Sequence, residues 1–165
     1  MANNMREARK SFRTKAERLA AEFSLDEAPG YLLRRLDAAA ADMYEQSTGQ
    51  NDLTPRQFGV LVRLYQLGPM KQSELGTRLN IDRSTLGEMV SRMVDRGLLN
   101  RGEAGSRRSA ELSLTRVGEK TLLVMIEPVI ASQRKLLELL PEEYRALFVK
   151  CLKVLADNVA PPQNA

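Results

Sequence analysis

The sequence predicts a mainly α-helical protein that carries one small β-hairpin, and three observations predict it. Apolar residues recur at three- and four-residue steps over most of the chain, the spacing of one buried helical stripe. Stop and start signals divide these stripes: Thr54-Pro55 opens one, Gly68-Pro69 closes it, and Gly97 closes another. Two short runs, Leu98 to Arg101 and Ala110 to Leu114, read instead as strands, joined by a polar, glycine-containing tip from Gly102 to Ser109.

The first stripe runs from Met5 to Phe23 through Ala8, Phe12, Ala16 and Leu19, with Arg6, Arg9, Lys10, Arg13, Lys15 and Arg18 on the other face. It reads either as an amphipathic helix packed in a dimer or as a basic arm on DNA phosphates. Asp26 to Gly30 punctuates the chain, and a second helix is expected from Tyr31 to Gln46. Thr54 can cap a third helix, with Pro55 at its first position and Gln57 completing a capping box. Leu53 and Phe58 have the spacing of a hydrophobic staple. A short helix from Lys71 to Leu79, the turn Asn80-Ile81-Asp82 and a longer helix to Arg96 follow. Thr115 can cap a long helix to Leu139, expected to break or bend at Pro128, and Pro141-Glu142-Glu143 opens the last one.

Composition narrows function. The 165 residues carry 28% charged and 43% hydrophobic side chains with a net charge of +4, an ordinary globular balance that suits a nucleic-acid partner. The absence of histidine removes Ser-His-Asp and Cys-His catalysis and most zinc sites. No Walker loop or Gly-rich dinucleotide turn is present, so no enzyme, cofactor or metal is expected. No run approaches the about 20 apolar residues of a membrane span, and the polar start Met1-Ala2-Asn3-Asn4 leads us to expect a cytoplasmic protein. The single cysteine, Cys151, lies among Leu147, Phe148, Leu152 and Leu155, where a small buried residue is the ordinary reading and a redox thiol the alternative.

Two helices joined by a tight turn and followed by a hairpin form a winged helix-turn-helix, whose second helix enters the DNA major groove while the first braces it. Leu75, Leu79, Ile81, Leu86, Val90 and Met93 have the spacing to hold the two helices together. Arg83, Ser84, Thr85, Gly87, Glu88 and Ser91 are then left outward, with Arg92 one turn on. Short hydroxyls reach base edges or phosphates, and Arg83 can fork onto guanine or phosphate. Gly87 costs helix stability, about 1 kcal/mol against alanine, and is expected to let the backbone approach DNA closely. Glu88 repels phosphates; it either pairs with Arg92, the reading taken first, or accepts from a cytosine amino group. On the wing, Arg107 and Arg108 at the tip and Arg101 at its base suit a narrow minor groove.

The ordered runs Leu53-Thr54-Pro55-Arg56-Gln57-Phe58, Gln72-Ser73-Glu74-Leu75, Asp82-Arg83-Ser84-Thr85-Leu86, Arg96-Gly97-Leu98-Leu99-Asn100-Arg101 and Leu112-Ser113-Leu114-Thr115-Arg116-Val117-Gly118 resemble the multiple-antibiotic-resistance regulator (MarR) family. The resemblance implies a homodimer whose N- and C-terminal helices interlock, with residues 1–52 and 116–165 as dimerisation parts and residues 53–115 as the DNA-binding domain. It implies a repressor of a pseudo-palindromic double-stranded DNA operator, released by a small-molecule effector. Reading positions map onto Ser84, Thr85, Gly87 and Glu88, and the wing arginine onto Arg108. Family wings commonly carry Asp two residues earlier, where this chain has Ser106. The long N-terminal helix and the Asp-Arg-Ser-Thr start resemble the branch controlling aromatic-compound catabolism, whose effectors are aromatic acids or their CoA thioesters. An effector pocket placed by the resemblance would draw on Tyr31, Arg34, Arg35, Tyr44, Arg63 and Tyr65. Two other functions fit the same residues: a winged-helix protein-interaction module and a non-specific architectural DNA binder.

Overall fold

The computed structural model describes residues 14–49, 53–102 and 111–159. By its packing the chain divides into residues 1–39 and 40–165, a boundary that falls within one helix.

In the first unit, helix α1 (Lys15–Glu22) starts at Thr14, which has a non-helical ψ of 159°. Its hydroxyl accepts from Glu17 N–H, while the Glu17 carboxylate accepts from Thr14 N–H at 2.6 Å. This reciprocal capping box corrects the expected single helix from Met5 to Phe23, because a helix that begins at Lys15 cannot run through Thr14. The part of that stripe before Thr14, with Arg6, Arg9, Lys10 and Arg13, lies outside the described residues. Leu25–Glu27 form one 3₁₀ turn, and α2 (Pro29–Thr48) follows, beginning two residues earlier than expected.

The second unit holds the principal core. Helix α3 (Pro55–Leu67) opens as read: Thr54 Oγ accepts from Gln57 N–H and the Gln57 amide oxygen from Thr54 N–H. The staple pair Leu53 and Phe58 is buried. Gly68, at φ +80°, ends the helix and donates its N–H to the Leu64 carbonyl. Next come strand β1 (Met70–Lys71), α4 (Gln72–Leu79), α5 (Arg83–Asp95), β2 (Leu99–Arg101), β3 (Glu111–Leu114), α6 (Arg116–Glu138) and α7 (Glu142–Asn158).

Strand β1 lies in a segment expected to begin a helix at Lys71. Two residues are too few for a visible alternation, and β1 exists only by pairing Met70 with Leu112 and Lys71 with Glu111. The three strands form an antiparallel sheet in the order β1-β3-β2. Helix α3 packs on α6, β3 and α4, and α5 packs on α4 and β2. Val60, Leu61, Leu75, Val90, Met93 and Leu112 lose all solvent contact between them.

Helix α6 runs unbroken past Pro128, so of the two expected outcomes, a break or a bend, the break does not occur. Proline removes one N–H from the ladder, yet the flanking residues Met125, Val129 and Ser132 are buried, and that packing holds the helix on both sides. Helix α7 buries none of its residues within the chain. Cys151, expected to be a small buried residue, is exposed instead, as are its apolar neighbours Leu147, Leu152 and Leu155.

Candidate nucleic-acid interface

Helices α4 and α5 meet through a three-residue turn. Asn80 takes the left-handed conformation at φ 52°, ψ 44°, which a short polar side chain tolerates better than most. Ile81 N–H returns to the Gly76 carbonyl at 3.0 Å. A Cβ on Gly76 would sit 3.2 Å from both the Ile81 carbonyl oxygen and a Leu86 methyl, so this close crossing suits a residue without a side chain. Leu75, Leu86, Val90 and Met93 are buried, with Leu79 and Ile81 packed against them. These six residues hold the helices together as their spacing suggested.

Asp82 fixes the start of α5. Its Oδ1 accepts from Thr85 N–H at 2.9 Å and from the Ser84 hydroxyl at 2.6 Å. These bonds, the Ser84 hydroxyl first and the Thr85 backbone next, hold the Asp82 carboxyl well below the usual carboxylate range. Sequence reasoning placed Asp82 only in a turn, although an aspartate three residues before Thr85 is an ordinary N-cap signal. The network gives Ser84 a polarity. Its proton is directed at Asp82, so its oxygen presents lone pairs outward. In that state the Ser84 hydroxyl is a hydrogen-bond acceptor toward solvent, with its proton already engaged by Asp82.

Arg83, Ser84, Glu88, Ser91 and Arg92 are exposed, and Thr85 and Gly87 are half-buried. The expected Glu88–Arg92 pair is not formed: the ion pair on this motif joins Arg78 and Glu74 on α4 at 2.9 Å. Among the described residues the side chains of Glu88 and Arg92 are unpaired, on the exposed face of α5. A Cβ on Gly87 would meet the Gln72 side chain at 3.6 Å, ordinary van der Waals contact. Gln72 was read as part of a motif and not as a site residue; a glycine in mid-helix facing a long polar side chain was the available signal.

The wing is rooted in the core. Leu99 pairs with Leu114, Asn100 with Ser113 and Arg101 with Leu112, and Gly102 N–H donates to the Glu111 carbonyl at 2.8 Å. Arg101 is half-buried on the face it shares with buried Leu99, so its stem covers core while its head leads outward. Arg107, Arg108 and Ser106 lie outside the described residues. Below the hairpin, Thr115 donates its hydroxyl to the Gly97 carbonyl at 2.6 Å and accepts from Gly118 N–H at 2.9 Å. Gly118 packs so closely on Leu98 that an added Cβ would overlap the Leu98 carbonyl oxygen.

A model of the MarR family matches residues 53–109, the stretch from the capped α3 into the wing. The HTH-type transcriptional repressor NicR of Pseudomonas putida is 30% identical over 105 residues, covering 63% of this chain and 66% of NicR. The chain thus spans about two thirds of that repressor. The solved structure of the repressor CouR bound to p-coumaroyl-CoA is 30% identical, with a TM-score of 0.74 over 82% of this chain and 96% of CouR. The chain belongs to the MarR family. CouR has also been solved on a 23-mer DNA duplex, where it is 31% identical with a TM-score of 0.73, covering 80% of this chain and 94% of CouR. A third MarR-fold neighbour, the PcaV regulator of Streptomyces coelicolor in complex with its natural ligand, is 28% identical. Its TM-score is 0.74, over 82% of this chain and 96% of its own.

The residues expected at an effector pocket fall in both units. In residues 1–39, Tyr31 is half-buried, and the exposed Arg35 places its guanidinium 5.9 Å from the Tyr31 ring centroid, a cation–π distance; Arg34 is exposed. In residues 40–165, Arg63 and Tyr65 are exposed on α3, whereas Tyr44 on α2 is 5% exposed. Among the described residues the buried Tyr44 phenol and Ser47 hydroxyl have no hydrogen-bond partner. Burial pushes the Tyr44 hydroxyl up to about 12. Among the described residues no helix is long and apolar enough to cross a membrane.

Proposed function

We propose that this MarR-family chain is a cytoplasmic, non-catalytic transcriptional repressor that binds a pseudo-palindromic operator as a homodimer. The observation that carries the reading is α5: its first turn is fixed by Asp82, its buried side holds α4, and its exposed side presents Arg83, Ser84, Glu88 and Arg92. Thr85 and Gly87 complete that face, Arg101 with Arg107 and Arg108 supply the wing, and double-stranded DNA is the partner. Two reading helices related by a dyad then meet half-sites about one helical turn apart. The dimer is formed by the terminal parts, residues 1–52 and 116–165. In support, α7 leaves Tyr144, Leu147, Leu152, Val154 and Leu155 uncovered in the single chain.

The effector is an aromatic acid or its CoA thioester; residues 1–39 offer it Tyr31, Arg34 and Arg35, and residues 40–165 offer Tyr44, Arg63 and Tyr65. Supporting it, the buried Tyr44 and Ser47 hydroxyls lack partners among the described residues, a costly state that a polar ligand atom relieves, and CouR binds p-coumaroyl-CoA.

The test is a binding titration against the promoter of the gene's own operon. The shift should weaken steeply with salt as arginines release condensed counterions and should survive excess unrelated duplex. Replacing Arg108 with alanine should lower affinity, most where an A·T-rich sequence flanks the site. A protein-binding module gives no salt-sensitive shift, and an architectural binder is competed away by any duplex. Thermal-shift screening with aromatic acids and their thioesters then identifies the effector.

A further inference from the structure

On α5 the residues Ser84, Gly87, Glu88 and Ser91 follow one another on one face of the helix. Three of them bring side chains to it. Gly87 brings none, and the space is taken from the neighbouring helix: Gln72, the first residue of α4, lays its amide nitrogen 3.6 Å from where a Gly87 Cβ would sit. Gln72 is half-buried, and among the described residues no hydrogen bond engages its amide. Two donors and an acceptor thus stand beside α5 with no protein partner among the described residues.

We propose that Gln72 is a specificity-determining residue, contributing from α4 the base-reading side chain that α5 lacks at position 87, and that it reads adenine. This rests on the DNA-binding role proposed above. The chemistry follows from the group. A planar amide donates and accepts side by side, the pattern that adenine presents at N7 and N6 in the major groove. It is neutral, so it adds little to counterion release and its contribution is one of sequence. Its backing matters too. Packing against the bare helix surface at Gly87 restricts the side chain before DNA arrives, which reduces the ordering cost on binding. Glycine at position 87 is then a seat for Gln72 and not only a point of close backbone approach.

The experiment selects preferred sites from a pool of random-core duplexes with the full-length parent, then with Gln72→Ala, and titrates the selected duplex with single-base variants. Gln72→Ala should lose the preference for adenine at one position in each half-site by about 5- to 100-fold, with an unchanged dependence on salt. Substituting 7-deazaadenine at that position should weaken the parent and leave Gln72→Ala indifferent. Gly87→Leu, which displaces the amide, should reproduce the same single-position loss, whereas Gly87→Ala should not; circular dichroism confirms that each variant is folded. The proposal is overturned if Gln72→Ala selects the parent's motif with the parent's discrimination, whether its affinity is uniformly lower, as for a phosphate contact, or unchanged, as for a packing role. A parent that enriches no motif overturns the DNA-reading assignment itself, and the two failures are therefore distinct.

Discussion

Helices α5 and α7 are both amphipathic, yet they finish their business differently. α5 buries Leu86, Met89, Val90 and Met93 within its own chain, while α7, four residues longer by its bounds, buries nothing. The contrast separates a helix that its own chain packs into a core from one whose apolar row stays uncovered in the single chain. On the function proposed above, the first holds its shape before it meets DNA and the second gains its partner and its burial in one step.

The widest gap between the two regions should come from overfilling the wing root. Gly118→Ala drives a methyl into the Leu98 carbonyl, a backbone atom with little freedom to yield. We expect a loss of about 3 kcal/mol or outright misfolding, read from the urea midpoint. A small loss would mean that the wing root is looser than its bonds imply. Next, Leu86→Ala should cost about 2–5 kcal/mol, equally at low and high protein concentration. Leu155→Asp should leave the single chain's fold nearly intact but shift the sedimentation profile toward monomer and abolish the concentration dependence of Tm. Equal concentration dependence in parent and Leu155→Asp would remove α7 from the dimer.

Smaller effects test the ends of α5. Asp82→Ala should lower stability as a lost cap and should weaken operator binding by releasing Ser84. Because the Asp82 carboxyl is held below its ordinary 3.8, its contribution is complete above that value and is lost only as the pH falls through the lower, folded one. Gly87→Ala should raise stability by up to about 1 kcal/mol, since its methyl meets Gln72 only at contact distance. The smallest expected effect is spectroscopic. The difference between parent and Tyr44→Phe in tyrosinate absorbance should develop near pH 12. Any stability linked to neutral Tyr44 is fully present below pH 10 and is lost as the pH rises from there through the folded value of about 12. A difference that develops near pH 10 would place the phenol in water.

Local chemistry made much of this legible. The capping box at Thr54 and Gln57, the staple of Leu53 and Phe58, and the six residues joining α4 to α5 are all set by neighbours a few positions apart. What sequence could not show depends on distant partners. Strand β1 forms only because Leu112 and Glu111 lie beside it, and Glu88 and Arg92, correctly spaced for a pair, do not form one. Helix α6 continues past Pro128 because Met125 and Val129 are buried on either side, which periodicity near a proline does not reveal. Cys151 shows the opposite failure. Its apolar neighbours suggested burial, but hydrophobicity says only that a residue seeks cover and not whether its own chain provides it. Gln72 was missed as a site residue because its importance is set by an absent side chain fifteen positions away.

The clasp at Thr115 ties the root of the wing to α6. Through the bonds from Thr115 to the Gly97 and Leu98 carbonyls, and through Gly118 seated on Leu98, the root of the wing becomes a passenger of α6. At about 1.5 Å per residue, the 23 residues of that helix make a lever arm of about 35 Å. Tilting it by about 5° at its far end carries its first turn, and the hairpin with it, through about 3 Å. That displacement is as long as a hydrogen bond, so a tilt of a few degrees in α6 is enough to break any polar contact made from the wing root.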